Sequence, residues 1–238
     1  MYTDSRGRGL ALGGVSLVVM PGQGLRGVRR RVEEDVQRKG RPQMIYVLAG
    51  ILDLVHKTGS GEVIFVGNVE NRVNALEKQM VDMATEIAGV KVVFGTMATM
   101  NIARWNIMRH SQGRIQRLRY EGVYGAMQKE INEAVVEINR RVTALNNMRG
   151  WKTPFLHSEV CHRRKKGRMR FEYWHLVDGV HPSGKMVGKW SKMIEKTVAQ
   201  NLLKLEEREE QGVAALEESD SDEGGEERFS RTVAERRD

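Results

Sequence analysis

Val15-Ser-Leu-Val-Val-Met20, closed by Pro21-Gly22, and Gln43-Met-Ile-Tyr-Val-Leu-Ala49, closed by Gly50, are two short apolar runs rich in β-branched residues. Each is the length of a strand and carries no polar alternation, the pattern of a strand buried on both faces. Between them, Gly24 to Arg38 places Leu25, Val28, Val32 and Val36 at spacings of three and four, which predicts an amphipathic helix. Strand, helix and strand in that order predict a βαβ unit and hence a parallel sheet.

The same alternation continues along the chain. Asn71 to Ala88 reads as a helix through Val73, Leu76, Met80, Met83, Ala84 and Ile87, and Val90 to Phe94 reads as a third strand. Glu62 to Val66 is a short strand or a loop. Tyr124 to Met148 is a long helix with Met127, Ile131, Val135, Ile138 and Val142 on one face, and Gly184 to Glu207 is a final helix. Trp151–His157 and Met169–Trp174 are candidate strands. The expectation is a three-layer α/β/α sandwich with a mainly parallel sheet, of flavodoxin-like type. Such sheets carry their chemistry beyond the carboxyl ends of the strands, so the loops after residues 20, 49 and 94 are the places for a site.

Charge divides the 238 residues unevenly. The net charge is +8, but residues 1–204 carry 34 basic and 18 acidic side chains, whereas 205–238 carry 5 and 13. From Gln211 the chain is rich in Ser, Asp, Glu and Gly, too poor in apolar groups to offset its ordering entropy. Residues 1–210 are therefore expected to form the α/β domain and 211–238 an acidic disordered tail. The single cysteine, Cys161, rules out an intrachain disulfide and fits a reducing compartment. No apolar run approaches the length of a membrane span and no secretory h-region opens the chain, so an intracellular protein, cytoplasmic or nuclear, is expected.

Four segments carry the chemistry: Asp4-Ser5, Gly22 after the first apolar run, Gly50-Ile51-Leu52-Asp53 after the second, and Asp178-Gly179-Val180-His181 before the last helix. A serine hydroxyl needs a base to take its proton. His181 is suited to that task, with Asp178, three residues earlier, holding the ring in the right tautomer. Gly22 lacks a Cβ, so its N–H can approach a developing oxyanion. The plain alternatives are a helix-capping Ser5, and an Asx-turn at Asp178 beside a surface His181.

The four segments, in this order, resemble the blocks of the SGNH (GDSL-like) hydrolase family. They are also similar to divergent SGNH domains of metazoan retroelement and other mobile-element proteins, whose ending is matched by Asp178-Gly-Val-His-Pro-Ser-Gly-Lys185. The resemblance implies an ester hydrolase with Ser5, His181 and Asp178 as the triad, the N–H groups of Ser5 and Gly22 as the oxyanion hole, no cofactor, and a small ester as substrate. Three departures accompany it. Thr3 stands at the usual glycine, and Leu52 stands where an asparagine would donate to the oxyanion. Only Met1 and Tyr2 precede Thr3, so the first, usually central, strand is expected to be missing. The departures keep a second reading open, a non-catalytic module of a mobile-element protein that binds nucleic acid or a protein partner. Its binding face would be Arg163, Arg164, Lys165, Lys166, Arg168 and Arg170, next to Phe171, Tyr173 and Trp174.

Two further patterns are weaker. Gly22, Gly24 and Gly27 fit the spacing of a dinucleotide loop, but no acidic residue ends the next strand to hold a ribose. His157, Cys161, His162 and His175 match no zinc spacing, so no metal is expected. Composition does not fix an oligomeric state.

Overall fold

The computed structural model describes residues 1–87, 89–119, 121–163 and 169–222. Eight strands occur among them. They are β1 (Tyr2–Thr3), β2 (Val18–Val19), β3 (Met44–Leu48), β4 (His56–Lys57), β5 (Val63–Ile64), β6 (Lys91–Phe94), β7 (Cys161–Arg163) and β8 (Met169–Phe171). Six α-helices accompany them, namely α1 (Leu25–Lys39), α2 (Ile51–Leu54), α3 (Val69–Glu86), α4 (Ile102–Ser111), α5 (Glu121–Met148) and α6 (Gly184–Asp222). Strands β2, β1, β3 and β6 lie side by side in that order, every pair parallel. The small β4–β5 and β7–β8 ribbons are antiparallel.

The sheet is covered on both faces, and the period of two in β3 shows how. Ile45 and Val47 join Val92 and Phe94 in one buried cluster with α1, α3 and α5, through residues such as Val28, Val32, Val73, Met80, Ile131 and Ile138. Leu48 turns the other way and borders a small cavity with Leu10, Leu156 and Trp190 of α6. This is the expected α/β architecture with a parallel sheet between helices.

The central strand position is filled after all. Tyr2 pairs with both Val18 and Val47, and Thr3 with Val19 and Leu48. Two residues alone have too few ladder bonds to hold a strand. Side chains supply the rest: the Tyr2 hydroxyl donates to the buried Asp35 at 3.0 Å, which also receives Arg31, Arg38 and Lys39 from its own helix. Thr3, in place of a glycine, is accommodated because Gly7 has no side chain. A Cβ there would fall 2.0 Å from Thr3 Cγ2.

Other departures from expectation have local causes. Trp151–His157 forms no strand. Pro154 lacks an N–H for a ladder, its carbonyl instead accepts from Thr96 at 3.0 Å, and a single 3-10 turn follows at Leu156–Glu159. Met169–Trp174 is a strand only to Phe171, before a 3-10 turn at Tyr173–His175. Helix α6 continues to Asp222 rather than ending at Glu207, because the stretch after Glu207 still holds strong helix formers such as Arg208, Glu209, Glu210, Ala214 and Leu216. The chain falls into two compact units, Met1–Thr197 and Val198–Asp238. The rest of the expected disordered tail, from residue 223, lies outside the described residues. No helix among the described residues is long and apolar enough to cross a membrane.

Candidate active site

All parts of the site lie in the first unit, at the carboxyl end of the parallel sheet. Directly after β1, Asp4 caps a one-turn 3-10 helix, Ser5–Gly7, by accepting from the Arg6 N–H at 2.9 Å. Its carboxylate also grips the Arg6 guanidinium at 2.8 Å, and the same guanidinium donates to the Ala98 carbonyl at 2.8 Å. Both side chains are buried, so this pair fixes the backbone on either side of Ser5. The capping role belongs to Asp4, which leaves the Ser5 hydroxyl for another partner.

That partner is His181, whose Nε2 lies 3.0 Å from Ser5 Oγ. On the other side of the ring, Nδ1 lies 2.5 Å from Asp178 Oδ2. Asp178 does two things at once. Its Oδ1 accepts from the N–H groups of Val180 at 2.9 Å and His181 at 2.7 Å, which is an Asx-turn, while Oδ2 faces the ring. The turn and the ring contact are therefore parts of one device. Burial pushes the Asp178 carboxyl up, but its bonds from the His181 ring and from the two amides outweigh that and hold it below the usual range.

The loop bearing this pair is docked by backbone. The Asn101 N–H donates to the Gly179 carbonyl at 2.7 Å, and a Cβ on Gly179 would lie 2.6 Å from the Asn101 carbonyl oxygen. Gly179 also has φ +88, so both its conformation and its close approach exclude a side chain. Asn101 caps α4, a helix not expected from the sequence, by accepting from the Arg104 N–H at 2.8 Å. That helix brings Trp105 to within 5.7 Å of the His181 ring, centroid to centroid. An asparagine cap ahead of ten residues without Gly or Pro was the available signal for α4.

Ser5, Gly22, Leu52 and His181 line one cleft of about 990 Å³. The segments after β2, β3 and β6 all contribute to it, through Gly22, Leu52 and Met100. Neither the Ser5 N–H nor the Gly22 N–H has a protein partner among the described residues. Leu52 brings no donor, since its side chain is hydrocarbon. Beside it, Asp53 accepts from the Leu25 N–H at 2.7 Å. The chain's own carboxylate thus occupies the start of α1, where a dinucleotide would place its pyrophosphate. Burial raises the Asp53 carboxyl above its ordinary range, with the Leu25 bond acting against it.

The remaining candidates do not join this group. Of the basic run, Arg164, Lys165, Lys166 and Arg168 lie outside the described residues, while Arg170 sits on β8 and pairs with Glu172 at 2.9 Å. His162 is 3.8 Å from Glu172 as well. Among the described residues no three His, Cys, Asp or Glu side chains converge as metal ligands would.

No protein-family model and no curated protein matches the chain. Among solved structures it is similar to a protein from Streptococcus pneumonia described as a platelet activating factor, at 14% identity over 82% of this chain and 80% of that one, with a TM-score of 0.49. It is similar also to a catalytic mutant of an acetylxylan esterase from Geobacillus stearothermophilus, at 15% identity over 76% and 71%, TM-score 0.41. A third is a protein from Parabacteroides merdae described as a GDSL-like lipase, at 14% identity over 74% and 72%, TM-score 0.40. At such identities and TM-scores a likeness carries neither an activity nor a site, and both rest on the geometry of this chain.

Proposed function

We propose that the chain is a serine hydrolase of the SGNH type that cleaves carboxylic esters through an acyl-enzyme. The observation that carries this reading is the relay Ser5 Oγ, His181 Nε2, His181 Nδ1, Asp178 Oδ2, with gaps of 3.0 and 2.5 Å. Ser5 Oγ attacks the ester carbonyl while Nε2 takes its proton. The imidazolium is stabilised by Asp178, which holds the proton-bearing Nδ1 in place. The carbonyl oxygen becomes an oxyanion, and the N–H groups of Ser5 and Gly22 are its donors. Collapse breaks the ester C–O bond, and His181 returns the proton to the leaving alcohol. Water then attacks the acyl-serine, giving its proton to Nε2, and the acid leaves as Ser5 recovers its hydrogen. Leu52 adds no third donor, and loss of one such donor costs about 10²–10³ in turnover, so the reading includes a slow enzyme.

Leu52 also favours a second reading, a non-catalytic mobile-element module that binds nucleic acid through the Arg163–Arg170 run. Hydrolysis of p-nitrophenyl acetate separates the two. Turnover that vanishes in both Ser5→Ala and His181→Ala supports the hydrolase, whereas one background rate in all three chains overturns it.

A further inference from the structure

The cleft around Ser5 has a charge pattern that ester hydrolysis does not need. Its interior is apolar: Val55, Val63, Met100 and Val180 line it and are all buried. Six basic side chains surround that floor, Arg8, Arg26, Arg30, Lys57, Arg109 and Arg114, against the single carboxylate of Asp53. They come from separate elements. Arg26 and Arg30 stand one turn apart on α1, Arg109 ends α4 with Arg114 just beyond it, Arg8 follows the Ser5 turn, and Lys57 is on β4.

The cations of α1 that lie outside the cleft are neutralised. On α1, Arg29 pairs with Glu33 and Glu86, while Arg31, Arg38 and Lys39 share Asp35. In the cleft, Arg8, Arg26, Lys57, Arg109 and Arg114 have no carboxylate partner among the described residues, and Arg30 has only a 3.9 Å contact with Glu34 between exposed side chains. Arg109 is half-buried over the Trp105 ring, 5.4 Å from its centroid. Burial first, and then the charge of Arg114, act against its proton. Like charges gathered round a concavity raise the folding free energy unless something anionic offsets them there.

We propose that the substrate is an ester bearing at least two phosphate groups, whose apolar acyl part lies on the cleft floor and whose phosphates are held between the α1 and α4 arginines. The proposal rests on the hydrolase reading and adds its substrate class. A lone carboxylate would offset only one of the six charges, whereas each phosphate brings about −1.5 to −2 and fits the guanidinium fork. The cleft's size is that of a pocket for a small molecule rather than a groove for a strand.

Inorganic triphosphate is the probe, its binding measured by calorimetry at about 50 mM salt, where surface charge is weakly screened. The expected result is equal binding to the native chain and to Ser5→Ala. It weakens at least about tenfold in R26Q/R30Q and again in R109Q/R114Q, and is unchanged in the distant Lys129→Gln. All five substituted side chains outside Ser5 are solvent-accessible, so the variants keep the fold, which circular dichroism checks. Absent binding, or binding indifferent to both double substitutions, overturns the proposal. A single-stranded oligonucleotide that binds more tightly than triphosphate and is lost in the same variants also overturns it, in favour of a nucleic-acid groove. Because triphosphate binding needs no turnover, failure of the hydrolase reading appears only in the p-nitrophenyl acetate assay.

Discussion

The two walls of the cleft are built by different means. On the wall of Ser5, Asp178 and His181, polar atoms are tied to one another: Asp4 holds Arg6, Asp178 holds two amides and the ring, and Asn101 holds the loop. On the other, Gly22 offers an N–H with no partner among the described residues and Leu52 offers hydrocarbon. The first wall orients a proton relay by hydrogen bonds that reinforce one another, each limiting the freedom of the next. The second is left with backbone donors alone. If the chain works as proposed, proton transfer is the well-prepared step and stabilisation of an oxyanion the weak one.

The sharpest way to break that contrast is to spoil the better wall. Asp178→Asn keeps the shape but presents an amide to Nδ1, so the ring loses the tautomer that accepts from Ser5. Turnover of p-nitrophenyl acetate should fall by about 10³–10⁴, with KM little changed. A loss below tenfold would mean that the relay is not in use. The converse is to repair the poorer wall. Leu52→Asn restores a side-chain donor at the start of α2 and should raise kcat by about 10²–10³. No gain, in a variant that stays folded, would show that position 52 does not face the oxyanion. Smaller still is Gly179→Ala, which sets a Cβ against the Asn101 carbonyl at a positive φ and displaces the His181 loop. We expect kcat to drop by about 10–10², since small misplacements of a catalytic group carry penalties of that size.

Legibility in the sequence follows the same division between local and assembled features. Strand β3 and helix α1 were readable because an unbroken apolar run and a three–four spacing are local signals, whereas Val15–Met20, expected as a strand buried on both faces, contributes only the half-buried edge strand Val18–Val19. The pairing of Asp178 with His181 was readable because the two are three residues apart and their turn is local. Helix α4 was not, since Ile102, Ala103, Trp105, Ile107 and Met108 leave no clean apolar stripe, and Ile107 is half exposed. The strand at Tyr2–Thr3 was missed because its stability comes from neighbours on both sides rather than from its two residues. The cleft cations are scattered from Arg8 to Arg114 and meet only through the fold, whereas the Arg163–Arg170 run is contiguous in the sequence.

The strand that begins the better wall supplies the smallest effect and a pH signature. Asp35 joins β1 to α1, receiving Tyr2 and three basic side chains on a carboxylate almost wholly out of solvent. Burial pushes its proton affinity up, but the bonds from Lys39, Tyr2 and Arg31 outweigh this and carry the pKa from 3.8 down to about 2. A depressed carboxyl stabilises the folded chain above its unfolded value, and that contribution fades as pH falls from 3.8 through about 2. With the basic partners largely in water, its worth is on the order of 1–2 kcal/mol. Asp35→Asn should therefore lower the urea-unfolding free energy by that amount at neutral pH, and the two chains should converge as the pH approaches 2. A gap that stayed constant across that range would assign the loss to packing around Tyr2 instead of to the charge, and the ionic tie between the first strand and its helix would have to be given up.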